Sequence, residues 1–555
     1  MARAAHSGVL SSVSRLAGWL ARRAPELACA AIVALAVVVV VATHRDYGVT
    51  WDEGVQARYG ELVVDYFRSG FQDRRANDFL SLRIYGPPFE AGAALSYAGD
   101  PRQKWERRHL LTALFGLLTL PALIACCRPL RIRWLAAAAS IALVTMPRFW
   151  GDLFGNSKDI PFAAAFTAAM AALAALAAGR GRTLARISVV GLAIGAAAAL
   201  RPGGLPVLAA LLAAALLASI VGDRARGERF FSSAIDAVWK GALALAIAWL
   251  AMIAFWPWAH EAPLANPLRA MASAAALAKV YPVLFEGRVL PSDALPARYV
   301  AQYVALTTPV MLLALAAAGL ISAARRQWRA PASSASRALL LFELWWILPL
   351  AAAAVIRPNV YDGIRHFLFV LPAIALFAGL GAIGLVERAP RGVARAGLTA
   401  LLAGATLWPV PALVRLHPYQ YTYFNELAGG LAGAHGRYET DYWVASYREA
   451  MQWINARARE AGRPIHVLVA ANRLSFPAAQ AYAGEDVVLE RTDRPPVGER
   501  PPTRFDYFVA TYRYGSSDAF PAAPVVHEIG RDGAIFTTIK AGPRAARSGP
   551  RRPSP

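Results

Sequence analysis

The sequence predicts a polytopic α-helical membrane protein of about eleven transmembrane helices, followed by a C-terminal extracytoplasmic α/β domain. Three observations carry this prediction. First, 57% of the 555 residues are hydrophobic and only 17% are charged, where a soluble chain carries roughly a quarter charged residues. Second, the apolar residues gather into charge-free runs of Ala, Leu and Val, such as 30–42, 162–178 and 205–221. Each is near the roughly 20 residues that cross a hydrocarbon core, or long enough once its flanks are included. Third, arginines cluster in every second loop: Arg22-Arg23, Arg128/Arg131/Arg133, Arg180/Arg182/Arg186, Arg224/Arg226/Arg229, Arg325/Arg326/Arg329 and Arg388/Arg391/Arg395. That alternation is the positive-inside pattern, and it places the loops between them outside. It also accounts for the net charge of +22 without nucleic acid as a partner.

The elements follow in order. Residues 1–24 form a basic cytoplasmic leader. The apolar run that follows, to about 43, has no convincing small-residue cleavage site and reads as a retained first span. Residues 44–108 form a long outward loop. Spans two and three, 109–127 and 134–147, flank an Arg-rich turn, and 148–160 is a short outward loop. Spans four to seven are 161–178, 187–200, 205–221 and 238–257, with a second long outward segment at 258–302. Spans eight to eleven are 303–323, 338–356, 367–386 and 396–414, and 357–366 is an outward loop between two of them. Together 25–414 make the membrane domain. From 415 to 540 polarity is mixed, and short apolar runs at 466–470 and 507–510 read as strands. Eleven spans from an inside N-terminus put this domain outside. Residues 541–555 read as a disordered tail. The three cysteines, Cys29, Cys126 and Cys127, lie in apolar runs, so no disulfide framework serves the outward loops.

Chemistry gathers where outward loops meet the membrane. Asp46-Tyr47-Gly48-Val49-Thr50-Trp51-Asp52-Glu53-Gly54 follows span one. Its adjacent carboxylates Asp52 and Glu53 are placed to take a proton or to hold a divalent metal. The bland reading is that a loop with ten acids simply has acids. Asn156-Ser157-Lys158-Asp159-Ile160-Pro161 precedes span four, with Pro161 suited to a first helical turn. Asp159 there also reads as a capping residue. Arg201-Pro202-Gly203-Gly204 sets an arginine on the outer side, against the charge rule. Arg357 to His366 adds Arg365 and His366 before span ten. Outward Arg and His suit an anionic headgroup or a pyrophosphate; a single such Arg also serves as an interface anchor.

There is no G-x-x-x-x-G-K-[ST] loop, no convincing G-x-G-x-x-G after a strand, no Cys/His zinc spacing and no G-x-S-x-G elbow. With no cytoplasmic energy source visible, an enzyme working outside needs an activated substrate already in the membrane. That points to a lipid-linked donor.

These residues resemble the GT-C superfamily of polyprenyl-phosphate-sugar-dependent glycosyltransferases, in the protein O-mannosyltransferase and aminoarabinose transferase branch (glycosyltransferase family 39-like). The resemblance rests on Trp51-Asp52-Glu53 after span one and Asn156 to Pro161 at span four. Leu200-Arg201-Pro202 and Tyr361…Arg365-His366-Phe367…Pro372 complete it, and together these cover about 25–390. It implies a polytopic GT-C-like fold, a polyprenyl-phosphate sugar donor and a lipid, glycan or protein acceptor. By the same resemblance Asp52 is the essential acid that acts as general base, Glu53 is its neighbour, and Asp159 shapes the same site. Lys158, Arg201, Arg365 and His366 fall where the donor phosphate is held. The aromatic, polar segment 415–450 has no counterpart in the mannosyltransferases. Its Tyr421, Asn425, Glu439 and Asp441 either line an acceptor groove or dock the C-terminal domain on the membrane. No metal ligand is assigned.

Two other classes remain in view. A transporter or flippase predicts polar residues at mid-membrane and inverted repeats, yet the spans are nearly free of charge at their centres, with Glu343 and Lys240 near cytoplasmic ends. A non-catalytic anchor for the 415–540 domain leaves the polarity of four separate outward loops unexplained.

Overall fold

The computed structural model describes residues 2–100, 103–179, 182–275, 280–493 and 504–544. The architecture follows from where the apolar runs lie. Among the described residues nine helices are long and apolar enough to cross a membrane, and two shorter apolar helices, Leu135–Val144 and Leu184–Leu200, stand between them. All eleven coincide with runs the hydropathy pattern marks as spans. The protein is a multi-pass helical membrane protein with a C-terminal sheet domain. Its small residues let helices approach closely. A Cβ on Gly381 would lie 1.9 Å from the Leu315 carbonyl oxygen, so Val310–Arg329 and Leu371–Arg388 cross backbone to backbone.

The structure departs from the sequence reading in three places. The basic leader is no separate segment: from Ala2 it is helical and continuous with the first span to Thr43. The 148–160 loop is largely a helix, Pro147–Gly155, and every residue of it is buried. Pro147 opens it, as a fixed φ suits a first helical position. The eighth span begins at Val310 rather than 303, because Tyr299–Thr307 is a separate helix. Pro309 disfavours helical backbone at Thr308 and forces the break.

The long segments between spans are themselves ordered. Residues 44–108 carry the helices Glu53–Arg68 and Pro88–Tyr97. Residues 258–302 carry an antiparallel hairpin, β1 (Pro282–Phe285) with β2 (Arg288–Pro291). The C-terminal domain is built on β3 (Ile465–Ala470), β4 (Val487–Thr492), β5 (Tyr507–Thr511), β6 (Val525–Arg531) and β7 (Ala534–Ala541). The sheet order is β4-β3-β5-β7-β6, with β3 parallel to both β4 and β5, and β7 antiparallel to β5 and β6. The helix Tyr447–Ala461 covers one face through Ala450, Met451 and Ile454. One hydrophobic core runs without interruption from the spans into that face. Ala541 ends β7 and Gly542 donates to the Asp506 carbonyl, 2.7 Å away, so the 541–555 tail begins on the sheet; 545–555 lie outside the described residues.

Candidate functional site

The site is assembled where the chain leaves its first span. The Trp51 N–H donates to the Trp443 carbonyl (3.1 Å), and the Val49 N–H donates to the Tyr482 hydroxyl (3.0 Å). These bonds pin residues 49–51 to the C-terminal domain and leave Asp52 at the start of Glu53–Arg68. Asp52 Oδ2 accepts from Arg365 Nη1 (3.1 Å) and lies 3.1 Å from Lys158 Nζ. The family resemblance implies a donor phosphate as the partner of both basic residues. Burial pushes the Asp52 carboxyl up, but Lys158 and Arg365 more than offset it and hold it below the ordinary carboxylate range.

Arg365 is fully buried and sits over the rings of Tyr361 (4.6 Å), Trp443 (4.7 Å) and Trp51 (5.6 Å). Three aromatic faces and a carboxylate suit a weakly hydrated planar cation far better than an ammonium. On its other edge Arg365 Nε is 3.6 Å from Asp362 Oδ2. The second Asp362 oxygen accepts from Arg513, which comes from the C-terminal domain, and Arg513 Nε is 3.4 Å from Glu439. A buried chain of alternating charge therefore runs Lys158–Asp52–Arg365–Asp362–Arg513–Glu439.

Arg201 Nη2 lies 2.5 Å from Asp159 Oδ1. Arg201 and His366 line an apolar cavity of about 380 Å³ among the spans, with Phe162, Phe166, Val207 and Phe369. Tyr85 lines the same cavity and lies under Lys158 (5.1 Å). Arg201, His366 and Asn359 are thus polar groups in a largely apolar hollow, with Lys158 beside its Tyr85 wall.

The remaining sequence candidates are placed differently. Glu53 turns away from Asp52: its Oε2 accepts the Thr50 N–H (2.8 Å) and meets His109 Nε2 (3.2 Å). The two adjacent acids enter separate networks and do not form a joint metal site. Among the described residues no group of three or more His, Cys, Asp and Glu is gathered to hold an ion. Tyr421 donates to Asp441, which also accepts the Ala445 and Ser446 N–H groups (3.1 and 3.2 Å). Glu439 accepts the Leu284 N–H (2.9 Å) from the hairpin. Asn425 stands apart from these: its Nδ2 donates to the carbonyls of Ala305 (2.6 Å) and Thr308 (2.7 Å), closing the break before Pro309.

Sequence reasoning missed Asp362 and Arg513. Asp362 lay inside a marked segment but carried no signal to separate it from its neighbours. Arg513 is distant in the chain, and only the fold brings it there. It also missed Asp152, in Pro147–Gly155, which accepts from Trp443 Nε1 (3.3 Å) and Asn156 Nδ2 (3.1 Å). Burial pushes the Asp152 carboxyl up to about 6, against the pull of Arg148.

No protein-family model matches the chain, and no curated protein sequence matches it. Its structure is similar to that of the ArnT of Cupriavidus metallidurans in the apo state. The two are 15% identical over 97% of this chain and 100% of that one, with a TM-score of 0.50. It is also similar to the Archaeoglobus fulgidus oligosaccharyltransferase in the apo form (12% identity, 82% of this chain, TM-score 0.48). The chain spans 64% of the length of that protein. Against the mycobacterial arabinofuranosyltransferase AftD the figures are 14% identity, 93% of this chain and 41% of that one, and a TM-score of 0.41. At this level of identity the likeness to the Cupriavidus metallidurans ArnT is one of fold.

Proposed function

We propose that the protein is a glycosyltransferase that moves a sugar from a polyprenyl-phosphate-linked donor to an acceptor hydroxyl on the extracytoplasmic face of a bacterial plasma membrane. One observation carries the reading. An apolar cavity among the spans ends in Arg201 and His366, beside a buried carboxylate held by Lys158 and Arg365. A polyprenyl chain fits the apolar walls, and its phosphate fits the cations.

The chemistry is a single displacement. The acceptor oxygen forms a bond to the anomeric carbon as the bond from that carbon to the phosphate oxygen breaks. Asp52 takes the hydroxyl proton. Lys158, Arg201 and Arg365 offset the charge that gathers on the departing phosphate. One displacement inverts the anomeric centre. Asp159 orients Arg201, and Glu53 holds the turn that presents Asp52.

The test uses membranes carrying the wild type or Asp52→Asn and a polyprenyl-phosphate sugar labelled in the sugar. Transfer is expected from the wild type, with at least a hundredfold loss in the variant and unchanged expression. Full activity in the variant defeats the assignment of the base. Movement of the intact labelled lipid between leaflets, without transfer, makes the chain a flippase.

A further inference from the structure

A second cavity, of about 350 Å³, lies between the β1–β2 hairpin, residues 436–441 and the segment after β5. Its walls include Glu439, Asp441, Asp518, Arg513, Tyr438 and Tyr514. It shares no lining residue with the apolar cavity. The two are joined by the charge chain: Lys158 and Asp52 stand by the first, and Arg513 and Glu439 line the second.

The contents of this cavity narrow what it takes. Three carboxylates face a single guanidinium, so a phosphate or another anion is disfavoured. Glu439, Asp441 and the Arg513 side chain are nine-tenths buried or more, too polar a wall for an acyl chain. What remains is a ligand with an apolar face and many hydroxyls. Tyr514 is half-exposed and stands in a left-handed conformation (φ 59°), followed by Gly515 at φ 68°. That is a strained choice for a tyrosine, and here it keeps a ring on the rim, with Arg513 4.6 Å from its centre. Displacement at the anomeric carbon also requires the acceptor to approach from the side opposite the phosphate. The charge chain leads from Asp52 away from the apolar cavity to this second one.

We propose that this cavity is a carbohydrate subsite that seats a sugar unit of the acceptor. The Tyr514 ring lies against its C–H face, and Glu439 and Arg513 hold its hydroxyls. This rests on the transferase reading above and names the acceptor class it left open.

The experiment is saturation-transfer-difference NMR on the full chain in lipid nanodiscs, with a panel of methyl hexosides and pentosides as probes. Wild type and Asp52→Asn are expected to transfer saturation to at least one glycoside. Tyr514→Ala and Glu439→Gln are expected to weaken that glycoside by about tenfold, while Tyr514→Phe, which keeps the ring, retains it. A panel with no response, or a response that Tyr514→Ala leaves unchanged, overturns the subsite. Glycoside binding by a protein that transfers no sugar keeps the subsite and removes the transferase; transfer without glycoside binding does the reverse.

Discussion

At the scale of single residues, the site turns on what adjacent side chains do differently. Asp52 and Glu53 are neighbours in sequence, yet one faces two cations and the other faces Thr50 and His109. Spacing alone cannot separate them, because the first helical turn that divides them is set by the bond from Trp51 to Trp443. Lys158, Arg201 and Arg365 were legible because each is a basic residue in a short polar segment directly beside an apolar run. Asp362 and Arg513 were not, since a buried partner shows only in three dimensions. The depressed Asp52 carboxyl has a direction in pH. Its stabilising contribution is complete above the ordinary unfolded value, about 3.9, and is lost as pH falls through its lowered native value. If Asp52 is the base of the proposed transfer, the acid limb of the rate profile is expected in that same lowered range. Lys158→Gln removes one of the two charges that hold it down. The acid limb of transfer is then expected to move up, with a weaker apparent affinity for the donor. A limb that stays in place would show that another group is the base.

At the scale of elements, hydropathy marked the spans and missed how they are interrupted. The Pro147–Gly155 helix is short and carries Arg148, Trp150 and Asp152, so it reads as loop although all of it is buried. Its position explains the composition. Gly151 packs against the backbone of Tyr421, where a Cβ would come within 2.1 Å of the amide nitrogen. Gly151→Ala must push this helix from the 420–422 turn, and with it the Asp152 contact to Trp443. A loss of about 1–3 kcal/mol is expected, read as a lower thermal midpoint in detergent together with reduced sugar transfer. The break at Thr308-Pro309 is held in a comparable way by Asn425, which takes carbonyls the helix can no longer satisfy. Asn425→Ala leaves two of them unpaired and should cost about 1–3 kcal/mol. Its effect should fall on stability, with transfer by the folded fraction retained. A selective loss of transfer at unchanged stability would instead make Asn425 part of the acceptor site.

At the scale of the whole molecule, the contacts and the topology constrain each other. The chain just after the first span is tied to the domain that follows the last one. Tyr47 donates to Gln420 (3.0 Å), His417 meets Asp46 (3.0 Å), and the Val49 and Trp51 bonds lie alongside. Such ties require residues 44–52 and the C-terminal domain to be on one side of the membrane. Ten of the eleven apolar helices lie between them, an even number, which meets that requirement. Taking any one of the ten as non-spanning breaks it, so the two short helices Leu135–Val144 and Leu184–Leu200 must either both cross or both not cross. The positive-inside rule makes the side itself a prediction. With the arginine clusters at the opposite ends of the helices, Arg224 and Arg226 among them, residues 44–52, the cations around Asp52 and the sheet domain are expected outside. Cysteine labelling measures this directly. The native Cys29, Cys126 and Cys127 are buried and contribute little background. In intact cells Arg473→Cys is expected to react with a membrane-impermeant maleimide, and Arg224→Cys only after permeabilisation, both positions being exposed. The reverse pattern would put the acid and its cations on the cytoplasmic side. The donor lipid would then be drawn from the inner leaflet, and the extracytoplasmic reading would fall while the fold and the charge chain stood.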